Sequence, residues 1–106
     1  MDQRLTAKYQ EIISKAEANG VKNAYFEPPA NIKMTYPCMV LKRGVISSRH
    51  AGNRTYKTDD AWDITWIRLD PDDDMVHTFL DTYQMIRHTR TYVADGLHHD
   101  QFKLYY

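Results

Sequence analysis

A single cysteine, Cys38, occurs among 106 residues. An internal disulfide is therefore excluded, and a reducing compartment is expected during synthesis. No apolar run approaches the length that spans a bilayer as a helix. The opening MDQRLTAKYQEIISK is polar and periodic, which argues against a signal peptide. Net charge is missing too: 14 Lys and Arg balance 14 Asp and Glu. Composition alone thus gives no reason to expect a generic nucleic-acid binder. There is no internal repeat, no low-complexity tract, no Walker loop, no GxGxxG and no EF-hand loop. Zinc-ligand spacings such as CxxC or HxxxH are also lacking.

What remains suffices for one domain. Apolar residues make up 42% and aromatics 12%, enough for a core and too much for a disordered tail. Charge is segregated along the chain. From Pro28 to Thr58 there is no acid, but there are Lys33, Lys42, Arg43, Arg49, Arg54 and Lys57. From Asp59 to Asp81 the sign reverses, with Asp59, Asp60, Asp63, Asp70, Asp72, Asp73, Asp74 and Asp81 facing only Arg68. Two readings stand. Either two solvated loops of opposite sign meet within one molecule, or the subunit has a basic and an acidic face suited to head-to-tail contact with its own copies.

Periodicity predicts the elements. Leu5, Tyr9, Ile12, Ile13 and Ala16 form one stripe of a helix over Gln3 to Asn19, stopped at Asn19-Gly20. Val21 to Tyr36, with Pro28-Pro29, reads as an irregular connector. Pro37 to Arg43 reads as a strand covered on both faces, and Arg54 to Leu69 as a long strand with Trp62, Ile64 and Trp66 on one side. Between them lies a basic tip, making a long hairpin. Asp70-Pro71 suits a helix start, with Asp72, Asp73 and Asp74 at the positive end of the dipole and Met75, Val76, Phe79, Leu80 and Tyr83 facing the core. That helix is expected to fade near Ile86 to Arg90. Thr91 to Ala94 and Gln101 to Tyr106 then close the fold around Asp95-Gly96, with a loop of six residues between them. The expectation is an α+β domain: a mostly antiparallel four-stranded sheet with two helices on one face, in the order α-β-β-α-β-β.

Chemical candidates are weak. His98 and His99 are adjacent in an extended segment and point to opposite faces, so they do not readily share a metal. Ser47, Ser48 and His50 share a loop without a positioned base, and Cys38 falls in a buried strand. Helix capping accounts for Asp72 to Asp74 without a cation. No catalytic residue, metal or cofactor is expected, and the chain does not read as an enzyme. The tip from Lys42-Arg43 to Arg54-Lys57, with Arg49 and His50, is the strongest binding candidate; its alternative is a solubilising tip.

Three stretches carry a resemblance: FEPPANIKMTYPCMVLKR (Phe26 to Arg43), TYKTDDAWDITWIRLDPD (Thr55 to Asp72) and RTYVADGLHHDQFKLYY (Arg90 to Tyr106). Together they resemble small phage tail-completion or tail-terminator proteins, and the closing stretch is the most specific. The resemblance implies an α+β subunit that assembles as a hexameric ring on the head-proximal end of the tail tube, within the virion. It implies as partners copies of the chain, the tail tube protein and a head-tail connector or stopper, with DNA passing through the lumen unrecognised; a membrane is not implied. It transfers no catalytic residue. Candidate contact residues for such a ring are Arg43, Arg49, His50, Arg54 and Lys57 on the basic side, Asp59, Asp60, Asp72, Asp73 and Asp74 on the acidic side, and the closing Tyr105 and Tyr106. Other neck components and a small nucleic-acid-binding module are the alternatives.

Overall fold

The computed structural model of the protein describes residues 3–44, 49–51, 54–57 and 60–106. Helix α1 (Gln3–Ala18) buries Ile12 and Ala16 and packs Tyr9 and Ile13 against the same core. It stops as its sequence requires. Gly20 takes φ +108°, and the Val21 N–H turns back to the Ala16 carbonyl at 3.1 Å.

Strand β1 (Ala24–Phe26) runs parallel to β2 (Cys38–Arg43), and so lies inside the stretch expected to be irregular. Its three half-buried residues are too few to show a period. The long strand expected from Arg54 to Leu69 is two. A small hairpin of β3 (Arg49–Ala51) and β4 (Arg54–Lys57) forms a separate sheet, and β5 (Ala61–Arg68) belongs to the main one. Helix α2 (Met75–Thr82) is shorter than expected at both ends. After it come β6 (Ile86–Ala94) and β7 (Leu97–Tyr105). The main sheet is five-stranded and mixed, in the order β1-β2-β5-β7-β6, where four antiparallel strands were expected.

The last two strands correct a further expectation. No six-residue loop separates them. Ala94 pairs with Leu97, and Asp95-Gly96 is a two-residue turn with φ +54° and +74°. Positive φ at both central positions matches the twist of a tight hairpin, which Asp-Gly favours. Residues 86–90 belong to the strand. They look unstrandlike because β6 is a sheet edge on which Arg87, His88, Thr89 and Arg90 are all exposed.

Alternation along the strands builds the core. Met39 and Leu41 of β2, Trp62, Ile64 and Trp66 of β5, and Phe102 and Leu104 of β7 share one face. Both helices cover it, and Phe79 of α2 sits 5.6 Å from the Trp66 ring and 5.2 Å from Phe102. The buried Tyr83 hydroxyl donates to the Ile12 carbonyl of α1 at 2.6 Å, tying the helices together. On the opposite face Cys38, Val40 and Ile67 form a smaller cluster with Tyr25, Met34, Tyr36 and Leu97.

Candidate functional site

Strand β5 is the axis on which the charged residues are arranged. At its Ala61 end the chain leaves the main sheet for the β3–β4 arm. Gly44 permits the departure: its N–H reaches the Ala61 carbonyl at 2.8 Å, and a Cβ there would lie 3.2 Å from Ala61 atoms. Arg49, His50, Arg54 and Lys57 lie on the arm's two strands, with Arg49 opposite Lys57 and Arg54 opposite Ala51. Arg43 ends β2 beside the arm's root and is exposed. Lys42, Asp63, Lys103 and Arg87 follow one another across the open face in register. One bridge, Lys103 to Asp63 at 2.8 Å, engages the only carboxylate of that row.

The acidic residues divide. Asp59 lies outside the described residues. Asp60 sits at the arm's root and is engaged within the molecule. Its carboxylate takes the Lys8 ammonium at 3.1 Å, and its backbone pairs in both directions with Tyr106. Lys8 also donates to the Tyr106 carbonyl at 2.9 Å. Asp70, Asp72, Asp73 and Asp74 lie beyond Arg68, at the other end of β5.

Asp70 to Asp74 do not open a helix, as the sequence had suggested; they form a turn ahead of α2. The Asp70 carboxylate takes the Asp72 N–H at 2.9 Å, and that of Asp73 takes the Met75 N–H at 2.7 Å. Asp74 occupies the N-cap position without a side-chain cap bond. Arg68 fixes the turn from below. Its Nη1 donates to the carbonyls of Asp70 and Pro71, both at 2.9 Å, and its Nε donates to Asp100 at 2.9 Å. Asp100 is 2% exposed and also lies 3.4 Å from His88 Nε2. Burial, the largest influence on this carboxyl, pushes its pKa up. Hydrogen bonds from Arg68 and Thr91 and the charges of Arg68 and His88 together outweigh it, holding the group below its ordinary value. Asp95, in the β6–β7 turn, lies at the same end as Arg68, because Arg68 pairs with His98.

Tyr105 and Tyr106 are half-buried. Strand β7, which ends at Tyr105, lies inside the sheet rather than at its edge. Tyr106 meets Tyr83 edge-on at 6.5 Å and carries the Lys15 ammonium 4.8 Å from its ring centre.

A groove that sequence reasoning missed opens on the face away from the helices. Residues 28–34 double back over the sheet as a strap. Glu27 turns the chain with φ +44°, held by its own N–H to the Leu41 carbonyl at 2.9 Å and by the Arg43 N–H on its carboxylate at 3.1 Å. The Thr35 N–H on the Tyr25 hydroxyl, at 3.0 Å, pins the far side. Beneath the strap lies a cavity of about 310 Å³. Pro28, Ile32 and Met34 wall it; Val40, Ile67, Lys42, Thr65, His99 and Gln101 floor it. Tyr92 stacks flat on His99 at its rim, 4.7 Å and 7° apart, with the Arg90 guanidinium 4.6 Å from the Tyr92 ring centre. His99 Nδ1 lies 3.0 Å from the Leu97 carbonyl, so that nitrogen carries the proton and donates. Among the described residues, the lining has a cation and several polar groups but no carboxylate. The signals for it were the Pro-Pro pair and the acid-free stretch; no local pattern says that the strap folds back.

Comparison with known proteins gives no matching family model, no matching curated protein and no matching solved structure.

Proposed function

We propose that the protein is a ring-forming virion subunit, a tail terminator that caps the head-proximal end of a phage tail tube, stops its polymerisation and offers a docking surface to the head connector. One observation carries most of the weight. The basic arm leaves the sheet at the Ala61 end of β5, and the acidic turn follows Arg68 at the other. The strand holds eight residues, so its ends lie about 23 Å apart at the usual strand rise. The two roots are too far apart for Arg43 and the acidic turn to neutralise each other within one molecule. Opposite charge at opposite ends of a subunit favours a heterologous contact, and such contacts close into rings when the rotation permits. The α+β architecture with helices on one face, and the sequence resemblance centred on what becomes β6 and β7, point the same way.

In this reading Arg43 at the arm's root and the arm residues Arg49, His50, Arg54 and Lys57 reach a neighbour or the connector, and Asp72, Asp73 and Asp74 supply the complementary charge. The tube protein meets one side of the ring and the connector the other, while DNA passes through without sequence-specific contact. Two experiments test it. Particles lacking the protein should carry tails of uncontrolled length; leaking heads with normal tails would instead indicate a stopper. In Arg49→Glu plus Arg54→Glu, ring formation on tube ends should fail. Intact rings and intact head joining would remove the arm from the assembly contact. Salt-sensitive binding to free duplex DNA would favour a nucleic-acid-binding module instead.

A further inference from the structure

We propose that the groove under the 28–34 strap receives the Leu69–Asp72 turn of a second copy of this chain. The inference rests on the ring reading and names the contact that propagates the ring.

The turn is built as a plug. Leu69 is 58% exposed, although it follows directly on a buried strand. Acids flank it: Asp70, Asp72, Asp73 and Asp74 come within five residues. The turn is also pre-shaped. Arg68 holds the Asp70 and Pro71 carbonyls, and Asp70 holds the Asp72 N–H. Little ordering entropy is therefore lost when such a turn docks.

The groove is built as its socket. Its apolar wall residues Ile32 and Met34 and floor residues Val40 and Ile67 suit a branched aliphatic side chain, and Ile32 is itself 42% exposed. Lys42 supplies a cation, and among the described residues the lining contains no acid that would repel Asp70 or Asp72. Asp63, which faces Lys42 across the strands, is already bridged by Lys103. At about 310 Å³ the space suits a side chain or two rather than a whole element. A molecule's own Leu69 does not line its own groove, so a Leu69 seated there comes from a neighbour. Turn and groove are different surfaces, which makes the contact heterologous, as a ring demands.

The test pairs two variants with one added cysteine each, Leu69→Cys and Met34→Cys, mixed and assembled on tail tubes, then treated with a short bismaleimide. Native Cys38 does not interfere: it is buried, and burial pushes its thiol pKa up to about 11. A crosslinked dimer that appears in the mixture and in neither variant alone is the expected result. Leu69→Asp should weaken subunit association roughly ten- to a hundredfold. Lys42→Asp should weaken it less, and mixing with Asp72→Lys protein should restore part of the loss. Rings that form without this crosslink, and that tolerate Leu69→Asp, would overturn the contact and leave the ring reading standing. Crosslinking of Met34→Cys to a different protein would overturn it equally. Failure to self-associate, free or on tube ends, would overturn both.

Discussion

Replacing Arg68 with methionine should separate the acidic turn from the core. The guanidinium touches both, with one bond to buried Asp100 and two to turn carbonyls. The Arg68 and Asp100 side chains are 12% and 3% exposed, so solvent screens the pair little. Breaking a buried pair from one side costs on the order of 3–5 kcal/mol, chiefly because it strands the other charge. His88 and Thr91 remain near Asp100, so the lower end, about 3 kcal/mol, is expected. For a domain of this size that lowers Tm by about 12–20 °C. The loss should carry a pH signature. In the native protein the Asp100 carboxyl lies below its unfolded value, so its contribution is complete above the unfolded pKa and fades as pH falls through the folded one. In Arg68→Met, burial acts with less opposition and the carboxyl rises. The variant then gains relief as acid protonates it. The stability gap between the two proteins should therefore narrow as pH falls from about 6 to about 3. Urea unfolding at pH 7 and pH 4, repeated in a His88→Gln background, measures the gap. A gap under about 1 kcal/mol at pH 7, or one unchanged at pH 4, would refute the assignment of Arg68 as the counter-charge.

Three smaller predictions follow from local geometry. Gly96→Ala should cost about 1–2 kcal/mol in thermal unfolding, all of it backbone strain, because φ is +74° and no atom crowds the added Cβ. Tyr83→Phe should cost about 1–3 kcal/mol by leaving the Ile12 carbonyl without its buried donor, and urea unfolding reads this directly. Cys38 should resist a thiol reagent in the folded protein at pH 8 and react once urea unfolds it; rapid native labelling would contradict its burial in β2.

The parts legible in the sequence were those where one face is fully buried. The α1 stripe, the Cys38–Leu41 run and the Trp62, Ile64, Trp66 alternation each met a core that rewards strict periodicity. Edges were not legible. β1 is too short to show a period, and β6 presents Arg87 to Arg90 to solvent, so neither has a buried face to betray it. Asp70-Pro71 misled because the same residues suit a helix N-terminus and a tight turn. The outcome was decided by Arg68, a tertiary partner that takes the carbonyls of Asp70 and Pro71. Of the candidate contact residues, the separation of Arg43 from Asp72 to Asp74 became visible only once the direction of β5 was known. Asp60 proved to be tied to Lys8 and the Tyr106 backbone. The groove depends on the strap doubling back over the sheet, which no pattern in residues 28–34 dictates.

The order of strands bears on how the protein is made. β7 follows every other element in the chain, yet it sits between β5 and β6. During synthesis β2 and β5 can pair first, leaving β5 with one bare edge and β6 with no partner at all. The nascent chain thus carries a tryptophan-bearing strand with one bare edge until β7 arrives, and such edges template aggregation. Folding yield would then be limited by the speed at which one strand threads between two others. Slower translation before residue 97 should lower the yield of soluble protein, and a chaperone that shields β5 should raise it, neither altering its stability.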